Sequence, residues 1–178
     1  TAFFIFYVQM MTSMTMVTIN TMRGDLFGFI PIAPEAAMSM NPLWCMVAGP
    51  IISWIFSSLE ERNINLTTAT KVAFSFVLTA IAFCILTYAV KNIGSDVIIR
   101  PEVFLVIHFF QAFAEVIVGS MVVAFILSVP PRHIESFSVS LVSVTVALSG
   151  IVGAVFSTSI ALEKDQKITQ EIVQNVYG

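Results

Sequence analysis

The chain has 178 residues, of which 57% are hydrophobic and 11% carry a charge, with a net charge of -3. Soluble domains carry about 25% charged residues, so this composition predicts an integral membrane protein. The small net charge gives no reason to expect a nucleic-acid partner. Cys45 and Cys84 lie in separate apolar segments without Cys-x-x-Cys or Cys/His spacing, so no metal or other cofactor is expected.

Five apolar segments are each long enough to cross a bilayer as a helix, for which roughly 20 residues suffice. Short links between them hold nearly all of the charges. A β-barrel is disfavoured because the segments are continuous and about twice the length of a barrel strand. The sequence predicts an all-α polytopic membrane protein with transmembrane helices over 2–22, 41–59, 69–90, 102–129 and 136–162, and a polar tail over 163–178.

The first segment is unusually polar for a membrane helix. Gln9, Thr12, Ser13 and Asn20 fall on one helical face. Ser and Thr hydroxyls bond the carbonyls of their own helix at little cost, but the two amide side chains are not explained in this way. Whether this face lines a cavity is left open by the sequence.

The second segment opens with Asn41-Pro42. This pair predicts a helix start with Asn41 as the N-cap and Pro42 in the first turn. Pro50 predicts a kink midway, because proline removes a backbone hydrogen bond and clashes with the preceding turn. The third segment has no charged side chain at depth, which predicts a scaffold helix that faces lipid.

The fourth segment carries polar side chains deep inside an apolar helix. His108, Gln111 and Glu115 share one face at spacings i, i+3 and i+7. A carboxylate at mid-bilayer depth costs about 2.5–3.5 kcal/mol on insertion scales and is tolerated in a bundle interior or a water-filled cavity. Glu115 is therefore the leading candidate functional residue. The alternative is a protonated Glu115 that serves as a packing contact between helices.

The fifth segment contains small residues along one helical face, a pattern that lets two helix backbones approach closely. This small-residue stripe predicts a helix–helix contact, although its Ser143 is also a candidate to line a cavity. The stripe consists of Ser136, Ser140, Ser143, Ala147, Gly150 and Ala154.

Several short stretches are similar to motifs of one transporter family. FYVQMMTS at 6–13 is similar to F-x-E-Q-x-x-S-S, and MNPL at 40–43 to L-N-P-L. ATK at 69–71 is similar to P-T-K, QAFAE at 111–115 to Q-x-x-G-E, and PPR at 130–132 to A-P-x-R. In this order and spacing the chain resembles the second half of the proton-coupled oligopeptide transporters of the major facilitator superfamily.

The resemblance implies five of the six helices of a carboxy-terminal bundle, with the amino-terminal half and the twelfth helix outside this chain. It implies that Asn41 and Glu115 hold the amino terminus of a peptide, and Gln9 and Gln111 are the further candidates for substrate contacts. Val8 stands at the position of the family's seventh-helix Glu, which is implicated in proton coupling.

The function implied is import of small peptides or related amino compounds by alternating access, driven by protons, in a bacterial inner membrane. The links after the second and fourth segments would then be cytoplasmic. Counting Lys and Arg, three in those links against five on the other side, favours the reverse orientation.

Two other functions stay open: a major facilitator transporter of a different small solute, and a non-transporting membrane subunit stabilised by buried polar contacts. A membrane enzyme is disfavoured, because the sequence offers no metal cluster and no nucleophile–base pair. Pairing of Glu115 with Asn41 across a hydrated cleft would favour transport. A Glu115 bonded to a dry helix neighbour would favour the subunit.

Overall fold

Five long helices make up most of this computed structural model. It describes residues 2–22, 24–94, 96–128, 134–159 and 169–177. The helices are α1 Ala2–Thr21, α2 Met40–Glu61, α3 Thr68–Lys91, α4 Pro101–Ser128 and α5 Glu135–Ser159. Each contains a stretch long and apolar enough to cross a membrane. The prediction of an all-α integral membrane protein with five transmembrane helices is confirmed.

The helix ends lie within two residues of the predicted spans wherever both are described. This agreement has a simple cause, since hydropathy changes sharply where an apolar segment meets a charged link. Residues 129–133 and 160–168 lie outside the described part, so the PPR stretch, the predicted ends of the fourth and fifth spans and the start of the tail fall there.

Helix α4 occupies the middle of the bundle, packing against α3 along its length and against α2, while α1 packs mainly against α5. Two apolar clusters fill the interior. One joins α1, α3 and α4 through side chains that include Met10, Met14, Ala82, Leu86, Phe104 and Ile107. The other joins α1, α2, α3 and α4 through Phe3, Ala48, Ile52, Leu78, Ala114 and Ile117. Helix α3 therefore buries one face in the bundle and is more than a scaffold facing lipid.

The link between α1 and α2 is more ordered than its turn residues suggest. Strands β1 Asp25–Leu26 and β2 Ile30–Pro31 pair antiparallel, with Asp25 opposite Pro31. The turn contains Phe27 and Gly28 at positive φ, and Glu102 of α4 accepts a 2.7 Å hydrogen bond from the Phe27 N–H. The hairpin is thus tied to the start of α4.

The predicted N-cap at Asn41 is wrong. A 3₁₀ helix over Pro34–Ser39 runs directly into α2, whose first residue is Met40. Asn41 therefore lies inside the first turn, because the chain is already helical before it. Its side chain is consequently available for a contact elsewhere in the bundle.

The end of the chain is a short helix, α6 Gln170–Tyr177, and not only a polar tail. Gln170 Nε2 donates to the Ile93 carbonyl at 2.9 Å, and Gln174 Nε2 donates to the Lys91 carbonyl at 2.8 Å. These bonds satisfy carbonyls at and just beyond the end of α3, where no intrahelical donor is available. Val173 between them is fully buried.

One end of the bundle therefore gathers three segments: the link before α2, the link between α3 and α4, and α6. Met22 and Ile99 form a parallel bridge there, and Ile99 N–H donates to the Thr21 carbonyl at 2.7 Å. We call this the hairpin end.

The predicted role of the small-residue stripe on α5 is wrong within the described part of the chain. Ser136, Ser143 and Ala154 are exposed, whereas Ser149 and Gly153 on another face of α5 are buried. Ser149 donates to the Thr145 carbonyl at 2.8 Å, so its hydroxyl is satisfied as it packs. Both faces carry small residues, and the helix is rotated to bury the second.

Candidate functional site

The carboxylate of Glu115 receives hydrogen bonds from three side chains. The Tyr7 hydroxyl donates to Oε1 at 3.1 Å. Asn41 Nδ2 donates to Oε2 at 2.9 Å, and Cys45 Sγ lies 3.6 Å from the same oxygen. The site therefore joins α1, α2 and α4 at one carboxylate.

Local helix geometry explains why two of these donors come from α2. Asn41 and Cys45 are spaced i, i+4, so their side chains lie one above the other on the same helix face. The 3₁₀ helix before α2 sets the rotation of this first turn. Asn41 is 3% exposed and Glu115 is half-buried, so the pair lies at the edge of the packed interior.

The three donors are all uncharged, so none of them neutralises an ionised Glu115. An ionised carboxylate has about four acceptor positions, and this set occupies three of them. In addition, the buried Asn41 Oδ1 has no hydrogen-bond partner among the described residues. The site can therefore accept a further donor, and a cation fits it better than a neutral group.

The other predicted residues of α4 lie apart from this hydrogen-bonded group. His108 is fully buried and Gln111 is 2% exposed. Within the described part of the chain, neither ring nitrogen of His108 and neither amide atom of Gln111 has a hydrogen-bond partner. Both residues share a face with Glu115 but, among the described residues, form no hydrogen bond with its carboxylate.

The polar face predicted for α1 is mostly satisfied by its own helix. Thr12 donates to the Val8 carbonyl and Asn20 Nδ2 to the Met16 carbonyl, both at 2.9 Å. Local bonding thus accounts for an amide that the sequence left unexplained. Ser13 is half-buried, and the side chain of Gln9 lies outside the described part. On α5, Ser143 is exposed and donates to the Val139 carbonyl at 3.3 Å.

Sequence reasoning missed Tyr7 and Cys45. Cys45 lies one turn after Asn41 on the same face of α2 and contacts the same carboxylate oxygen. That spacing was the available signal. A tyrosine within a membrane span calls for a hydrogen-bond partner, which was the signal for Tyr7.

A polar cavity and an apolar cleft of the described bundle both lie away from this carboxylate. A polar cavity of about 340 Å³ at the hairpin end is lined by Asp25, Phe27, Gly28, Arg100, Pro101 and Glu102. An apolar cleft of about 470 Å³ lies between α3, α4 and α5 at the opposite end. The hydrogen-bonding chemistry, and not cavity size, identifies the candidate site. The described residues hold no group of three or more His, Cys, Asp or Glu that could bind a metal ion.

Known proteins resemble this chain along nearly its whole length. Dipeptide and tripeptide permease B of Edwardsiella piscicida is 28% identical over 182 residues, which cover 99% of this chain and 36% of that protein. Permease B of Salmonella typhimurium is 24% identical over 163 residues, covering 92% of this chain and 33% of that protein. The chain therefore spans about a third of the length of these relatives.

Solved structures show the same fold. A crystal structure of tetrameric PepTSo2 superposes with a TM-score of 0.74 at 22% identity, covering 98% of this chain and 35% of that one. A crystal structure of the peptide transporter POT gives a TM-score of 0.68 at 16% identity, covering 99% of this chain and 35% of that one. The predicted major facilitator fold is thereby confirmed. A sequence model of the POT family matches residues 1–172, and this chain belongs to that family.

Proposed function

We propose that the chain is part of the carboxy-terminal half of a transporter that imports small peptides by alternating access. The hydrogen bond of 2.9 Å between Asn41 and Glu115 carries this proposal. The names of the bacterial relatives, dipeptide and tripeptide permeases, support peptides as the substrate class. The chain acts in transport and not as an enzyme, and it works with an amino-terminal half that lies outside this sequence.

The substrate group that fits the site is a protonated amino terminus. An ammonium needs acceptors, and the site offers the Glu115 carboxylate together with Asn41 Oδ1, which has no partner among the described residues. Charge-assisted hydrogen bonds of this kind are shorter and roughly twice as strong as neutral ones. Away from bulk water, the attraction between the two charges is also less screened.

The remaining parts of the proposal concern the setting of this site. The bundle lies in a bacterial inner membrane, with the hairpin end outside and the opposite end in the cytoplasm. Protons are the coupling ion. Gln9, Thr12, Ser13, Asn20 and Ser143 stay predictions as residues of the substrate cavity.

The rival function is a membrane subunit in which Glu115 is a packing contact. Three donors on one carboxylate are what such a contact would also show. A transporter for another small cationic solute is the second rival. A transporter differs from a membrane subunit in that its activity depends on the charge of Glu115 and not only on the shape of that side chain.

The test is uptake of labelled peptides by the full-length transporter in liposomes, with Glu115→Gln compared with wild type. Glutamine keeps the size and an acceptor but removes the charge. A charge-assisted bond contributes roughly 1.5–3 kcal/mol, so apparent affinity for free peptides should fall about ten- to hundredfold. For peptides blocked at the amino terminus, the apparent affinities of the two proteins should differ least.

The matched control is Glu102→Gln, at the start of the same helix. Its amide oxygen can still accept from the Phe27 N–H, and uptake should be unchanged. Unaltered uptake of free peptides by Glu115→Gln would show that Glu115 is a packing contact. Equal losses for blocked and free peptides would overturn the assignment of the amino terminus.

A further inference from the structure

Polar side chains on α4 form a row between the hairpin end and Glu115. His108 and Gln111 are three residues apart, and Glu115 follows four residues later, so all three lie on one face. With a rise of 1.5 Å per residue, His108 and Glu115 are about 10 Å apart along the axis. Helix α4 begins at Pro101 beside the hairpin, so His108 lies between that end and the carboxylate.

The row is buried but unsatisfied. Both ring nitrogens of His108 and both amide atoms of Gln111 lack a hydrogen-bond partner among the described residues, as does Asn41 Oδ1. Buried polar side-chain atoms in native proteins are, in the large majority, bonded to protein or to ordered water. Five such atoms on three neighbouring side chains are therefore difficult to explain as packing, because apolar residues would fill the same space at lower cost.

Among the described residues, no side chain hydrogen-bonds these atoms. The neighbouring core side chains from α1 and α4, such as Met10, Met14 and Phe104, are apolar. The titratable groups nearest the row, Tyr7 and Cys45, are already engaged with Glu115. Glu102 lies at the hairpin end, where its Oε1 accepts from the Phe27 N–H and its Oε2 has no partner among the described residues. Lys91 and Cys84 of α3 are exposed.

We infer that His108 and Gln111 bind internal water, and that this hydrated row carries protons between the hairpin end and Glu115. The inference rests on the proposed function, since it assigns a path for the ion that drives transport. Internal waters typically make about three hydrogen bonds to buried polar groups, and His108 and Gln111 alone offer four atoms without a partner among the described residues.

The chemistry needs only these groups and water. A neutral imidazole accepts an excess proton from hydronium at one ring nitrogen and releases a proton from the other ring nitrogen to the next water, which leaves the ring neutral in its second tautomer. The proton lost on the far side passes through water to Glu115, and the carboxylate becomes a carboxylic acid. Gln111 orients the intervening water and is a positioning residue.

The test separates proton movement from peptide binding in the full-length transporter in liposomes. Peptide exchange across the membrane without a gradient requires binding and alternating access but no net proton flow. Accumulation driven by an imposed proton gradient requires binding and alternating access, and it also requires net proton flow. In His108→Gln, accumulation should fall about a hundredfold, in the range of a lost proton-transfer group, while exchange stays within roughly twofold of wild type.

One control and one further test variant accompany His108→Gln. Ile107→Val shortens a buried neighbouring side chain without changing its polarity, so exchange and accumulation should both stay at the wild-type level. Gln111→Leu should reduce accumulation with less effect on exchange. Accumulation by His108→Gln at the wild-type level would overturn the inference, and so would an equal loss in both assays.

The proposed function fails separately, if the wild-type protein neither exchanges nor accumulates peptides. If His108→Gln fails to fold, a high-resolution structure of the intact wild-type transporter tests the inference instead. Water within about 3 Å of a His108 ring nitrogen and of the Gln111 amide is expected. Protein groups bonded to these atoms, with no water between them, would overturn the inference.

Discussion

The Tyr7 hydroxyl donates a 3.1 Å hydrogen bond to Glu115 Oε1. Helix α1 packs mainly against α5, whereas α4 packs against α3 and α2. This bond therefore adds a polar link between α1 and α4 to the apolar clusters that already join them. Tyr7 does not need to touch the substrate to affect transport, because it fixes where the carboxylate lies.

Replacing Tyr7 with Phe tests that positioning role. A hydrogen bond to a charged group contributes roughly 1.5–3 kcal/mol, of which only part should be expressed in substrate affinity. We expect the apparent KM for free peptides to rise roughly tenfold in Tyr7→Phe, with a smaller change for amino-blocked peptides. The measurement is initial uptake by the full-length transporter over a range of peptide concentrations.

The matched control for that experiment is Tyr88→Phe. Tyr88 lies on α3 and is 71% exposed, so loss of its hydroxyl should leave the KM unchanged. Indistinguishable KM values for the two variants would show that the Tyr7 hydroxyl contributes nothing to the site.

The contact between Asn41 and Glu115 can be tested by exchanging donor and acceptor. Asn41→Asp alone places two carboxylates where a 2.9 Å hydrogen bond stood, so it should lower the thermal unfolding midpoint in detergent. Adding Glu115→Gln supplies an amide donor facing the new carboxylate. The double variant should regain most of the lost stability, with a coupling energy of about 0.5–3 kcal/mol.

Asn20→Asp combined with Glu115→Gln is the control pair. Asn20 bonds its own helix at the Met16 carbonyl, so its effect should add to that of Glu115→Gln without coupling. Additive effects in the Asn41 pair as well would mean that the two side chains do not interact in the folded protein.

Hydropathy and length predicted the helices because each span is a local property of the chain. The rotation of a helix about its own axis, by contrast, depends on contacts with residues that are distant in the sequence. α5 presents small residues on two faces, and only its contact with α1 selects the face that contains Ser149. The prediction for the stripe that contains Ser143 failed for that reason.

Two further features depended on contacts between distant residues. The hairpin is two residues per strand, too short to form alone, and the bond from Phe27 to Glu102 ties it to α4. Tyr7 and Glu115 are 108 positions apart, so no local pattern could pair them. The resemblance assigns Asn41 and Glu115 to one substrate site, although 74 positions separate them.

The start of α3 offers a test of local helix stability. Thr67 is the N-cap, and its Oγ1 accepts a 3.2 Å hydrogen bond from the Thr70 N–H. Thr67→Ala removes that acceptor and should lower the free energy of unfolding by about 1 kcal/mol. The readout is the thermal midpoint of the detergent-solubilised protein.

Thr68→Ala at the next position changes the same residue type without removing the cap. Thr68 is exposed, and alanine has the higher helix propensity, so its midpoint should be unchanged or slightly raised. A larger drop for Thr68→Ala than for Thr67→Ala would contradict the assigned helix start.

The last prediction concerns α6, which is docked by Val173 and two glutamine bonds to the end of α3. Val173→Asp would bury a carboxylate where the valine is fully buried, at a cost of several kcal/mol if it stayed unpaired. The helix should therefore detach from α3, and the detached population should be cleaved by protease. Because cleavage tracks the open population, the rate within residues 169–177 should rise more than about tenfold. Glu171→Gln, at an exposed position of the same helix, should be cleaved at the wild-type rate. Equal rates for the two variants would mean that Val173 does not hold α6, and that the amide–carbonyl bonds of Gln170 and Gln174 suffice.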